Sequence, residues 1–294
     1  MPSRPSVDVA INVYGKPYQT AVTLLSLLKH SGQWIDKIYF IEERKQPEGT
    51  DFSFLYPLLG KRLIRYKPWF WLWTNPFKKE WLMKIPFIRH AIRYQYAWEK
   101  SDKKFLMVTH NDVLYTGDLL GVYLDQIGDH IGVGKVGQCW NCPAYTAQKC
   151  DSETYWNYRP SKEEVLTLVE EYPGARTQHF EYEMNRRSSW PIPECRLNEY
   201  TALINLHLAR PVTIPQGAAT AFGNIDGLDT ATGWFWHISN AGYKVKHVDF
   251  DPYATHDWAN GLNSGHAALF DKNLYKNGES IAKELLIKEY GLKL

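Results

Sequence analysis

The sequence lacks the features of several protein classes. Residues 1–6 contain no apolar signal core, and nowhere do about 18 or more apolar residues follow one another, so neither a secretory signal nor a membrane-spanning helix is predicted. The charge is nearly balanced, with 34 basic and 32 acidic residues, which argues against a general nucleic-acid-binding protein. We therefore expect a cytoplasmic protein that meets any anionic ligand with local charge.

A glycine-rich phosphate loop is also absent. The turn after the first predicted strand reads Tyr14-Gly15-Lys16-Pro17 and has a single glycine. Because a dinucleotide-type Rossmann site or a P-loop needs several glycines for close backbone approach to phosphate, neither is predicted here.

What is present predicts a globular α/β protein. The chain has 294 residues, of which 44% are hydrophobic, so it can bury a large core. In residues 7–13, apolar side chains alternate with smaller or polar ones, as in a strand. Residues 21–28 have apolar residues at helical spacing, and residues 37–41 form an apolar run that is predicted to be a second strand. A strand, a helix and a strand within about 40 residues are typical of a βαβ unit with parallel strands.

The most informative stretch is an apolar run that ends in three polar residues. Residues 105–109 are predicted to form a buried strand, and His110, Asn111 and Asp112 follow at its carboxyl end, where open α/β sheets bind ligands. A carboxylate there can hold Mg²⁺ or Mn²⁺ against a diphosphate, since both ions prefer oxygen ligands. The other interpretation of Asn111-Asp112 is a solvated turn.

Two further pairs of charged residues are candidates for nucleotide contacts. Glu42 and Glu43 end the second predicted strand, where a carboxylate can accept hydrogen bonds from a base or ribose. Arg89 and Arg93 are spaced i and i+4 on one face of a predicted helix and could reach a pyrophosphate. Exposed arginines on a surface helix are the alternative.

Together these features resemble the nucleotide-sugar-binding half of a GT-A glycosyltransferase of the family-2 type, over residues 7–125. The resemblance implies a GT-A-like (Rossmann-like) α/β/α sandwich with a mostly parallel central sheet. The family's Asp-x-Asp metal motif falls on residues 110–112, where only Asp112 keeps a carboxylate. The implied nucleotide-sugar-binding residues are Val13, Tyr14, Glu42, Glu43, Arg89, Arg93, His110, Asn111 and Asp112.

The resemblance also implies roles for residues in the second half. In GT-A glycosyltransferases a loop before an Ala-Gly-Tyr turn carries a catalytic aspartate, and a later histidine completes the metal shell. On that basis Asp226 or Asp229 would be the general base, and His256 would bind the metal with Asp112. Without the resemblance the two aspartates are turn residues, and His256 is a surface histidine.

All four cysteines fall in this half, at positions 139, 142, 150 and 195. A Cys-x-x-Cys pair is the usual chelating hairpin for Zn²⁺, and Cys150 and Cys195 would complete a structural site with Cys139 and Cys142. Unligated thiols and disulfides are the alternatives. We predict one domain, 1–294, with a nucleotide-sugar half (1–135), an acceptor half (136–294) and a cysteine-containing insertion (139–195).

Two other segments carry predictions. Residues 67–86 interleave tryptophan with lysine, a composition that favours peripheral contact with a membrane, here its inner face; a dimer contact or a loop packed on the core are the alternatives. Residues 198–210 have apolar residues at helical spacing and are predicted to form a helix.

The resulting functional prediction is a glycosyltransferase of polysaccharide biosynthesis. It would move a sugar from a nucleoside diphosphate sugar to a hydroxyl of a glycan or lipid-linked glycan, with Mn²⁺ or Mg²⁺ and with inversion. A sugar nucleotidyltransferase is the second enzyme class, but the glycine-rich basic loop it would need near residue 15 is missing. A catalytically silent carbohydrate-binding or scaffold protein is the third hypothesis, because His110 stands where the metal motif of the family has a carboxylate.

Overall fold

The centre of the protein is a seven-stranded sheet with a separate two-stranded ribbon beside it. The structure, a computed structural model, describes residues 7–70, 80–174, 180, 183–184, 187–223, 229–259 and 270–294. Its strands are β1 Val7–Val13, β2 Ile35–Glu42, β3 Leu63–Tyr66, β4 Phe105–Thr109, β5 Val113–Tyr115, β6 Gly132–Val136, β7 Leu197–Asn205, β8 Val245–His247 and β9 Ala254–His256.

The large sheet is mostly parallel. Its strand order is β3-β2-β1-β4-β7-β6-β8, and within it only β7 runs antiparallel to both of its neighbours. Strands β5 and β9 pair antiparallel in the ribbon. The predicted α/β class with a mostly parallel central sheet is confirmed.

Helices cover both faces of the sheet, since its strands alternate apolar side chains between the two faces. On one face, Val9 and Ile11 of β1 belong to a core with the first and last helices; on the other, Ala10 packs with Trp98 and Trp234. The helices are Pro17–Ser31, Tyr56–Leu59, Pro86–Arg89, Gln95–Lys100, Leu119–Gln126, Pro143–Thr146, Lys162–Glu171, Leu206–Val212, Thr232–Asn240 and Lys272–Tyr290.

The cysteine-containing segment lies between β6 and β7. Ser161 caps its helix Lys162–Glu171 by accepting a hydrogen bond from the backbone N–H of Glu164. The described part of the insertion has a small apolar core of its own, made of Ala144, Val165, Leu168, Val169, Phe180, Met184 and Ile192.

Two helix predictions are wrong. Residues 198–210 were predicted to be helical, but they form most of β7 followed by the helix Leu206–Val212. A central strand that is buried on both faces reads as a continuous apolar run, which fits either periodicity. The predicted arginine-bearing helix is two short helices, broken where Tyr94 takes a left-handed φ of 64°, so Arg89 and Arg93 share no helical face.

Candidate metal and catalytic site

Three segments meet at the edge of the sheet where β1 and β4 end. Lys16 follows β1, while His110 and Asp112 follow β4. The ribbon brings in the third segment, because β5 starts directly after Asp112 and its pairing with β9 sets Val113 opposite His256. A backbone hydrogen bond from Asp257 N–H to the Asp112 carbonyl, 2.9 Å long, closes the same corner.

The side chains of His110, Asp112 and His256 form a group that could hold a metal ion. One ligand atom from each lies within 4.8 Å of the other two. His256 Nε2 is 3.4 Å from Asp112 Oδ1 and 3.2 Å from His110 Nδ1. Asp112 Oδ1 is buried without a hydrogen-bond partner, as expected of an oxygen that is kept for a cation. The structure thus brings together the two predicted ligands, Asp112 and His256, and adds His110.

A buried lysine compensates the charge of Asp112. Lys16 Nζ lies 2.7 Å from Asp112 Oδ2, and the two side chains are only 6% and 8% exposed. Burial alone would raise the pKa of Asp112, but the contacts with His256 and Lys16 outweigh it and hold the pKa well below its usual range. Asp112 is therefore a carboxylate at neutral pH. Sequence analysis assigns Lys16 no role in the site, because nothing in its local pattern points toward residue 112.

A second buried carboxylate, Glu199, contacts the ring nitrogen of His110 that faces away from His256. Glu199 Oε1 lies 3.4 Å from His110 Nε2, and Glu199 Oε2 lies 3.5 Å from Arg196 Nε. Burial would raise the pKa of Glu199, but Arg196 and then His110 lower it to about 2. A carboxylate behind a metal-binding histidine fixes its ring orientation and tautomer. Sequence analysis does not identify Glu199 or Arg196 as site residues, because residue 199 falls in the wrongly predicted helix 198–210 and Arg196 lies outside every sequence motif.

Arg196 contacts both Glu199 and the predicted catalytic residue Asp229. Arg196 Nη2 lies 2.9 Å from Asp229 Oδ2, and Gln138 Nε2 donates a 3.3 Å hydrogen bond to the same oxygen. About a third of the Asp229 side chain is exposed, so its carboxylate is both oriented and accessible. Asp226, the other predicted base, lies outside the described residues.

Aromatic rings cover one side of the histidines. The Tyr200 ring stacks on His256 at 4.0 Å and meets His110 edge-on at 5.2 Å. Trp140 stacks on Tyr200 with ring centroids 6.5 Å apart, and it is 51% exposed. A large exposed aromatic side chain at the rim of a polar cluster is typical of a ligand-binding surface.

Most of the predicted nucleotide-contacting residues also lie at this edge. Val13 and Glu42 are register partners at the ends of β1 and β2, and Glu43 N–H donates to the Val13 carbonyl at 3.0 Å. Glu42 pairs with Lys67 at 2.7 Å. Asn111 Nδ2 donates to Thr20 Oγ1 at 3.2 Å, which anchors the turn after β4, and Tyr14 is exposed.

The two predicted arginines differ in their surroundings. Arg89 makes a bidentate ion pair with Glu99, at 2.6 and 2.7 Å, and also donates to two backbone carbonyls. Its guanidinium is thus engaged in a buried structural contact. Arg93 lies in the turn between the two short helices, where Gly223 packs so closely that a Cβ atom on it would be 2.3 Å from the Arg93 carbonyl oxygen.

The four cysteines are free thiols around one small cavity in the insertion. Burial first, and neighbouring sulfurs second, raise the pKa of Cys150 to about 12, and burial also raises the pKa of Cys195. Zinc binding stays a prediction.

The proposed membrane segment falls partly outside the described residues, since 71–79 are among those not described. On either side of that gap, Trp69 and Trp81 are exposed. Within the described ranges, the helices are too short or too polar to cross a bilayer.

No protein-family model matches the chain, and neither does any curated protein. Solved structures do match in fold. A mannosyltransferase from Pyrobaculum calidifontis in complex with GDP-Man and Mn²⁺ is 11% identical, with 99% of this chain and 77% of that one covered and a TM-score of 0.49.

Two further structures are similar at the same level. Mouse xyloside xylosyltransferase 1 is 12% identical over 83% of this chain and 86% of that one, with a TM-score of 0.44. Glucosyl-3-phosphoglycerate synthase from Mycobacterium tuberculosis, in complex with Mn²⁺, UDP and phosphoglyceric acid, is 9% identical over 95% and 78%, with a TM-score of 0.43. All three TM-scores lie below 0.5, and the similarities assign no activity or residue role to this chain.

Proposed function

We propose that the protein is a metal-assisted glycosyltransferase that moves a sugar from a nucleoside diphosphate sugar to a hydroxyl acceptor. The observation that carries this proposal is the convergence of His110, Asp112 and His256 at the carboxyl edge of a mostly parallel sheet, beside the buried cation Lys16. Open α/β sheets bind ligands at that edge, and a diphosphate is the kind of ligand that needs both a metal ion and a fixed positive charge.

The donor set fits a divalent transition ion. Two imidazole nitrogens and the unpartnered Asp112 Oδ1 face one another within 4.8 Å. Because Mg²⁺ prefers an all-oxygen shell, this set favours Mn²⁺. Such an ion, when bound, would neutralise the charge that develops on the leaving diphosphate.

The chain supplies the other contacts to the donor. The ammonium group of Lys16 is held by Asp112 Oδ2 and adds a fixed positive charge next to the proposed metal ligands, which would favour a nearby diphosphate without direct contact. The nucleoside would lie against Val13, Tyr14, Glu42 and Glu43. We leave Arg89 out of this donor site, since Glu99 already holds its guanidinium in two hydrogen bonds.

Asp229 is the proposed general base. It would take the proton of the acceptor hydroxyl while the acceptor oxygen forms a bond to the anomeric carbon, and the bond from that carbon to the diphosphate breaks with its electron pair leaving on oxygen. Arg196 and Gln138 hold Oδ2 of Asp229, while Oδ1 accepts a 2.9 Å hydrogen bond from the Thr230 N–H and has a second lone pair for the acceptor hydroxyl. Attack from the face opposite the leaving group inverts the configuration. Asp226 is the alternative base.

The proposed acceptor is a glycan or a lipid-linked glycan. The support is Trp140, whose exposed ring lies next to the His256 and Tyr200 stack, because the C–H face of a sugar ring packs well on an aromatic ring. Peripheral membrane contact through residues 67–86 would keep a lipid-linked acceptor near the site.

Calorimetry separates this proposal from a silent scaffold. UDP and GDP are titrated into the protein with and without Mn²⁺, followed by a panel of donor sugars in hydrolysis assays. We expect Mn²⁺-dependent nucleotide binding and donor hydrolysis, both lost in Asp112→Ala. The matched control is Asp125→Asn, an exposed carboxylate in the helix Leu119–Gln126. Absence of both nucleotide and metal binding would instead support the silent scaffold.

A further inference from the structure

The four cysteines meet at one place although they are spread along the insertion. Cys139 and Cys142 flank the short turn after β6, and Cys195 lies two residues before β7. All four line one cavity of about 20 Å³. Gly137, with a φ of 90°, makes this arrangement possible, because a Cβ atom there would lie 3.0 Å from Cys139 Sγ.

The cavity lies where two apolar cores meet. Cys142 and Cys150 pack against the small core of the insertion, and Cys150 and Cys195 pack against the core on one face of the sheet. The described part of the insertion core is small, and small units of this kind usually depend on a disulfide or a structural metal.

We propose that Cys139, Cys142, Cys150 and Cys195 bind one structural Zn²⁺ ion that fastens the insertion to the start of β7. Four thiolates, two of them from a Cys-x-x-Cys turn, are a donor set for a closed tetrahedral zinc site. The cavity has room for about one water-sized group, which is sufficient for a bare ion. The site is separate from His110, Asp112 and His256 and does not rest on the proposed activity.

Zinc would draw the sulfurs inward. No three cysteine sulfurs among the described residues lie within 4.8 Å of one another. Thiolates about 2.3 Å from a tetrahedral zinc ion are about 3.8 Å apart, so at least one pair in any three of these sulfurs would have to approach by at least about 1 Å. The cavity provides the space for that movement, and Cys139 would exchange its 3.4 Å contact with Ser152 for the metal.

The test is the zinc content of the full chain, purified under reducing conditions, with measured thiol reactivity. We expect one zinc per chain that persists in His256→Ala and is lost in Cys150→Ser and Cys195→Ser. Ser152→Ala, which removes a neighbouring hydroxyl but no thiol, is the matched control and should keep the zinc. Titrating the wild-type protein with a mercurial reagent should release the zinc as four thiols react, which provides a test even where a cysteine variant fails to fold.

Three results would overturn the proposal. They are four reactive thiols with no zinc, a disulfide between any two of these cysteines, and zinc that survives both serine variants but disappears in His256→Ala. The last result would place the ion in the His110, Asp112 and His256 group. Because none of these measurements uses donor or acceptor, failure of the zinc site and failure of the proposed activity are distinguishable.

Discussion

Lys16 and Asp112 form a buried ion pair, with 2.7 Å between Lys16 Nζ and Asp112 Oδ2. The pair connects the turn after β1 to the turn after β4, and Tyr275 of the C-terminal helix accepts a 2.9 Å hydrogen bond from the Lys16 N–H. Lys16 occupies one oxygen of Asp112 and leaves the other facing His110 and His256. The ion pair thus fixes the position of the candidate metal ligand.

Removing the lysine charge should destabilise the protein. Lys16→Met keeps the apolar stem and leaves a buried carboxylate unpaired, for which we expect a loss of about 3–5 kcal/mol in the free energy of unfolding. Urea denaturation measures it, with the exposed Lys29→Met as control. Combining Lys16→Met with Asp112→Asn should restore part of the loss. A change below about 1 kcal/mol in Lys16→Met would show that the pair is solvated.

Mn²⁺ should stabilise the folded protein through the three-residue group. At a concentration 100 times its dissociation constant the ion should add about 2.7 kcal/mol to the free energy of unfolding. Thermal unfolding with and without Mn²⁺ measures this, and Mg²⁺ should have a smaller effect. His256→Ala and His110→Ala should abolish the shift and Asp125→Asn should keep it. An equal shift in all three variants would place the ion elsewhere.

Glu199 should make stability depend on pH in the acid range. Its pKa falls from the ordinary value of 4.5 to about 2 in the folded protein, so its stabilising contribution is present above pH 4.5 and is lost as the pH falls toward 2. The full contribution is on the order of 3 kcal/mol. Unfolding free energies of the wild type and Glu199→Gln should therefore differ at pH 7 and converge near pH 2. Parallel curves across that interval would contradict the assignment.

Asp229→Asn should lower transfer to the acceptor by about 10²–10⁴-fold while leaving nucleotide binding intact. The amide keeps the size of the side chain and can still contact Arg196, so loss of activity reports the missing base. Initial rates with an acceptor, together with the anomeric configuration of the product by NMR, measure the effect. Unchanged transfer would move the role to Asp226.

Trp140→Ala should raise the KM for the acceptor and leave the KM for the donor unchanged. We expect the loss of this stacking contact to weaken acceptor binding by about 1.4 kcal/mol, which corresponds to a tenfold rise in acceptor KM. The control is Tyr145→Ala, another exposed aromatic of the same insertion. An equal rise in donor KM would show that Trp140 acts by holding the histidines and not by contacting the acceptor.

The sequence predicted best those features that depend on residues adjacent in the chain. The apolar runs of β1, β2 and β4, and the polar turn after β4, follow from local pattern and chain direction. The contacts of Lys16, Glu199 and Arg196 depend on which strands are neighbours and on the direction of β7, and no local pattern carries that information. Arg89 shows the same limit, because its partner Glu99 belongs to a different short helix.

The reversed direction of β7 has a consequence for how this protein can change. Since β6 ends and β7 begins at the same edge of the sheet, the segment between them leaves the sheet and returns to it at the edge that carries His110 and Asp112. That segment can be lengthened, shortened or exchanged without breaking a strand pairing. Under the proposed function, acceptor preference can change with this segment while the proposed donor-binding half of the molecule stays as it is.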